Sequence, residues 1–130
     1  MDLRNLLASF AILGCAAACD QFGDRGDKVE EAKSSVGLLL ADPSSAQFSD
    51  IAVKGDVVCG LVNAKNQFGA YSGLTGFIVE NGSAQLGDDG PDFFGKFLKI
   101  CDEPAKAKFM ALDVARTRQR VDAITKALKE

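Results

Sequence analysis

The chain has 130 residues, 47% of them hydrophobic, with three prolines and a formal net charge of -3. This is the composition of one globular domain, with nothing disordered or low-complexity about it. A pI near 5.0 argues against a sequence-independent nucleic-acid binder, which needs a basic face to displace counterions from phosphates. The absence of histidine removes the usual general base and the commonest metal ligand near neutral pH. No cofactor and no metal are expected, and nucleic acid is not expected as a partner.

Residues 1–18 are expected to be a signal peptide of the lipoprotein type. Arg4 and the amino terminus form a weak positive region, Leu6 to Gly14 an apolar one, and small residues then run up to Cys15 and Cys19. The apolar run from Leu6 to Cys19 falls short of the about 20 residues needed to span a bilayer. A buried N-terminal helix is the alternative, disfavoured because nothing polar marks a second face. A small-residue run ending in cysteine fits a lipobox, with lipidation expected on Cys19 and on Cys15 as the alternative. Cysteine parity favours Cys19, because cleavage before it leaves Cys59 and Cys101 free to pair. The chain is thus expected in the cell envelope, anchored to a membrane by lipid and facing the periplasm. Retention at the inner membrane follows if Asp20 acts as a sorting signal, and a secreted soluble protein is the alternative.

Residues 19–27 are expected as a flexible tether, and 28–130 as a single α+β domain. From Lys28 the spacing of Val29, Ala32, Val36 and Leu39 or Leu40 predicts a helix ending at Ala41 or Asp42, before Pro43. A turn through "DPSSAQF" leads to strand-like runs at 46–53, 56–64, 73–80 and 83–87. The first alternates Phe48, Asp50 and Ala52 against Gln47, Ser49, Ile51 and Val53. A reversal at Lys54 and Gly55 and an Asn81-Gly82 hairpin turn connect the runs. The expected fold is an N-terminal helix, a three- to four-stranded antiparallel meander with one-sided hydrophobicity, and two C-terminal helices packed on one face. Pro91 opens the first of these helices, which carries Phe93, Phe94, Phe97, Leu98 and Ile100. The second covers 105–129, and its stripe of Met110, Val114, Val121, Ile124 and Leu128 is expected to pack on the sheet. If the stripe outruns the sheet, it becomes a dimer or partner face.

Four features invite chemistry. Cys59 as a nucleophile would need a base or cation, and Lys65 is the nearest candidate, so a Cys59–Cys101 disulfide is the preferred reading and no catalytic residue is assigned. Gly69, Gly73 and Gly76 match neither a dinucleotide fingerprint nor a P-loop. They are expected as turn and packing positions, with Gly60 and Gly76 making room for an aromatic ring. Asn63, Lys65, Asn66 and Tyr71 either close a turn or form a polar recognition patch. Asp88, Asp89 and Asp92 depart from the EF-hand order and read as a solvated acidic turn.

The stretch "LLADPSSAQFSDIAV" followed by "VVCGLVNAKNQFGAYSGLTGFIV" resembles a pattern of small proteobacterial and phage-associated secreted proteins or lipoproteins. In these a Lys-Asp-Pro-Asp-Ser-Ala-x-Phe turn precedes a strand reading Cys-Gly-x-Val-Asn-Ala-Lys-Asn and a Gly-Gly-Tyr-x-Gly-Phe segment. The chain departs from the pattern at Ala41, Leu61 and Ala70. The resemblance implies envelope localisation and a shared fold, and no activity. The functional expectation is a non-catalytic envelope lipoprotein that acts as a binding module, with a protein partner on the 63–72 loop or the C-terminal helix. The alternatives are a cysteine-dependent hydrolase or thiol-redox protein centred on Cys59, and a purely structural lipoprotein.

Overall fold

A computed structural model describes residues 17–87 and 90–129, with side chains from residue 23 onward except that of Pro91. The expected signal peptide, apart from its last two residues, and the alternative lipid site Cys15 lie outside the described residues. So do Asp88 and Asp89.

Helix α1 spans Ala17–Gly37, β1 Gln47–Lys54, β2 Val57–Asn63, β3 Thr75–Glu80, β4 Ser83–Leu86, α2 Pro91–Ile100 and α3 Glu103–Ala127. The four strands form one antiparallel sheet in the order β1-β2-β3-β4, so the expected meander and both C-terminal helices are present. Gly55 and Asp56 close the first hairpin, one residue later than expected, because Lys54 still pairs with Val57 as the last residue of β1. Asn81 and Gly82 close the last, both with positive φ (50° and 74°) as a primed turn requires.

Three local features differ from expectation. Helix α1 begins well before Lys28, so the segment expected as a tether is helical; an ion pair from Asp24 to Lys28 (3.3 Å) supports this turn. The same helix stops at Gly37 and not at Asp42. Leu39 and Leu40 donate to the carbonyls of Val36 and Gly37, which winds the end into tighter turns ahead of a 3-10 turn over Pro43–Ser45. In β1 the alternation breaks at a bulge between Ser49 and Ala52, where Asp50 takes a φ of 51°. The extra residue moves Ile51 and Val53 to the side of Phe48, and leaves Ala52 on the opposite face.

The hydrophobicity of the sheet is two-sided. Strand β2 is buried along its length from Val58 to Val62, because helices cover both faces. Helix α1 sets Ala32 and Val36 against Val58, Val62, Phe77 and Val79. Helices α2 and α3 set Phe93, Phe97, Ala105 and Phe109 against Cys59, Leu61 and Ile78. A fully buried Phe contributes roughly 1.5–3 kcal/mol, so this aromatic layer is a large apolar term. Gly60 and Gly76 make room for rings as expected. A Cβ at Gly60 would stand 3.1 Å from Phe77 Cε1, and one at Gly76 3.0 Å from both Phe97 Cε2 and Phe109 Cε2. Cys59 and Cys101 form a disulfide with their Cα atoms 5.9 Å apart, tying the central strand to the end of α2.

The stripe on α3 does not pack on the sheet. Only Ala105 and Phe109 of this helix are buried, whereas Val114, Val121, Ile124 and Leu128 are 55–82% exposed. At about 100° per residue, Ala105, Phe109, Leu112 and Arg116 share the face turned to the sheet, and the stripe lies about 130° around from it.

Ion pairs and side-chain hydrogen bonds tie the helices to the two ends of the sheet. Lys54 meets Asp102 (3.0 Å) at the start of α3, and the Arg116 guanidinium donates to the Leu74 carbonyl (3.2 Å) at the other end of the sheet. Lys28 of α1 donates to the Gly55 carbonyl and to Asp56 (both 3.2 Å) at the hairpin end. The N-terminal part of α1 therefore leaves the domain at the end opposite the loop between β2 and β3. Among the described residues, no helix is long and apolar enough to cross a membrane.

Candidate functional site

The loop between β2 and β3 extends the hairpin and is closed by its own side chains. Beyond Asn63 the ladder continues as a single bridge between Lys65 and Tyr71. Asn66 shapes the tip: its side-chain oxygen accepts from the Phe68 and Ala70 amides (2.9 and 3.2 Å), and its own amide donates to the Ala70 carbonyl (2.8 Å). Gly69 completes this turn with a φ of 79°. Below it, Ser72 donates through both amide and hydroxyl to the Ala64 carbonyl (3.1 Å each), and the Asn63 side chain accepts from the Gly73 amide (3.1 Å). Both asparagines thus close turns, one of the two roles their positions allowed.

Lys65 and Tyr71 remain as a pair. The ammonium lies 5.6 Å from the centre of the tyrosine ring, a cation–π separation. The 3-10 turn supports the pair from below. The Lys65 amide donates to Ser45 Oγ (2.8 Å), the Tyr71 hydroxyl to the Ser45 carbonyl (3.4 Å), and Gln47 Nε2 to the Tyr71 oxygen (3.3 Å). The Asp42 carboxyl in this turn is held below the usual aspartate range, chiefly by the hydrogen bond from Ser44 Oγ (2.6 Å). The Lys65 charge acts weakly in the same direction.

Sequence reasoning did not single out Phe68, which is 84% exposed at the tip between the asparagine turn and Tyr71. An aromatic residue inside an otherwise polar, glycine-containing turn was the signal available. Leu38 and Leu39, at the end of α1 beside the same 3-10 turn, are also exposed. A groove of 680 Å³ between Gly37, Leu38, Pro43 and Phe48 adjoins them. This end of the fold therefore carries the exposed Phe68 and Tyr71 rings, the Lys65 ammonium and exposed aliphatic side chains on a braced backbone.

The remaining candidates fall elsewhere. Cys59 and Cys101 are fully buried, 0% exposed, and bonded to each other. Asp92 lies in the first turn of α2, and among the described residues no three His, Cys, Asp or Glu side chains gather as a metal site. The backbone of Cys19 belongs to α1. Comparison with protein-family models, with curated proteins and with solved structures finds no match.

Proposed function

We propose that the chain is a non-catalytic lipoprotein of the bacterial cell envelope, anchored at Cys19, that binds a protein partner on the surface of Lys65, Phe68 and Tyr71. The observation that carries this reading is the Lys65–Tyr71 pair on a loop whose Asn63, Asn66 and Ser72 side chains are all engaged internally. Such a loop presents rigid aromatic area at low conformational cost, the property of residues that dominate protein interfaces. An exposed Phe68 beside it has no packing role within the domain. A chain anchored near the start of α1 would hold this surface away from the membrane.

The competing reading, a hydrolase or thiol-redox protein, is the less favoured: Cys59 is fully buried and bonded to Cys101, so a reactive thiol there would require that bond to be reduced and uncovered first. The test of the binding reading is a double substitution, Lys65→Ala with Tyr71→Ala. Retention of the partner by the immobilised protein is expected to be lost while the denaturant midpoint stays close to that of the parent. Retention unchanged at equal stability would overturn the assignment.

A further inference from the structure

Helix α3 continues past its last contact with the sheet. Phe109 is in the core and Arg116 reaches the Leu74 carbonyl, but every residue from Thr117 to Lys129 is exposed. In its first half Lys106 pairs with Glu103 and Lys108 with Asp50. A helical extension of this length is marginal in water without a packed face, so its stability calls for one.

The exposed apolar positions supply that face in a specific pattern. Met110, Val114, Thr117, Val121, Ile124 and Leu128 recur at alternating spacings of four and three. This is a heptad in which Val114, Val121 and Leu128 take the a positions and Met110, Thr117 and Ile124 the d positions. Val114 and Val121 are the β-branched choice for a positions of two-stranded parallel coils, while d holds Met110, Thr117 and Ile124 in place of leucine. The flanking charges agree: Asp113 at g and Arg118 at e are five residues apart, the offset at which g meets e of the neighbouring helix in a parallel, in-register pair. Two identical helices therefore form two Asp113–Arg118 contacts by symmetry. Turned end for end, the same seam would set Arg118 against its own copy. The face is free to do this, since it points about 130° away from the side packed on the sheet.

We infer that the C-terminal half of α3 pairs with a second copy of this chain as a parallel two-stranded coiled coil. The occupant is a copy because the charge pattern is complementary to itself. With three a/d pairs the association is weak, and the dimer depends on concentration.

The test places a cysteine at an a position in the full-length protein, Val121→Cys, with Gln119→Cys on the outer face of the helix and the wild-type chain as controls. Mild oxidation is expected to give a covalent dimer from Val121→Cys only, since only parallel, in-register helices bring residue 121 to its own copy. Adding Asp113→Arg should reduce the yield about fivefold by converting both attractive contacts to repulsions, and adding Arg118→Asp as well should restore it. Equal dimer yields from positions 119 and 121, an adduct of Val121→Cys with a different protein, or indifference to the charge changes would each overturn the inference. All substitutions lie on exposed helix positions, and the far-UV circular dichroism of each variant confirms that the helix persists.

Discussion

Gly76 lies directly beneath Phe109: a Cβ at residue 76 would stand 3.0 Å from Phe109 Cε2, and the same distance from Phe97 Cε2. The sheet is thus cut away under its aromatic cover, and the two rings, 4.5 Å apart between centroids, fill the space. Gly76→Ala is expected to destabilise the domain by about 1–3 kcal/mol through overpacking. Gly95→Ala, in the middle of α2 with nothing within 4 Å, should instead stabilise it by about 0.5–1 kcal/mol. Urea denaturation of the two variants side by side checks the opposite signs.

The disulfide closes a loop with a sequence separation of 42. In the chain-entropy account such a cross-link is worth about 4 kcal/mol, a large share of the stability of a domain this small. Cys59→Ser with Cys101→Ser should lower the urea midpoint accordingly, and reductant should do the same to the parent while leaving the double variant unmoved.

Asn66 holds two amides of the loop tip, so Asn66→Ala should cost about 1 kcal/mol locally and speed hydrogen exchange at Phe68 and Ala70. Exchange in β2 and β3 should not change, because their ladder does not pass through Asn66. Slow exchange at both amides in the variant would show that the turn is held by something else.

Two charged groups carry pH dependence of opposite sense. The lowered folded-state pKa of Asp42 contributes stability above the ordinary aspartate range, lost as pH falls through the folded value. Lys28, raised by its hydrogen bonds to Asp56 and Asp24, contributes below the ordinary lysine range, and that contribution is lost as pH rises through the folded value. Both groups lie half-buried at the surface and the effects are small, so the readable outcome is the titration itself. Ser44→Ala should move the Asp42 midpoint upward, towards the ordinary value, in a carboxyl-detected NMR titration.

Much of this arrangement was legible in the sequence where one residue type has one physical solution. Asn81-Gly82 between strand-like runs admits a primed turn, Pro91 a helix start, and Gly60 and Gly76 a close ring. The bulge at Asp50 was not legible, because an aspartate in an alternating strand reads as an outward-facing residue until the pairing with β2 is known. Nor was the two-sided burial: β2 is apolar on both faces, but which helix covers which face is decided by the path of the chain. The stripe on α3 was seen and its setting misjudged, since a heptad reads the same whether it meets a sheet or another helix. At the site, Lys65 and Tyr71 were singled out together with two asparagines that turn inward. Phe68 was passed over because an aromatic residue is ordinarily expected in the core.

The proposed anchor makes its own prediction. Cys19→Ser should release the protein from the membrane fraction into the soluble one, and the intact mass of the parent should show acyl chains and the loss of two hydrogens for the disulfide. Cleavage before Cys15, or an unacylated chain, would contradict lipidation at Cys19.

The most direct test of the binding surface is a photo-crosslinking amino acid placed at Phe68, with the exposed Gln85 of β4 as control, irradiated in the intact cell envelope. The account predicts one discrete protein adduct from position 68, absent from position 85 and lost when Lys65 and Tyr71 are replaced by alanine. Adducts of equal yield from both positions, or one from position 68 that survives the double replacement, would contradict it.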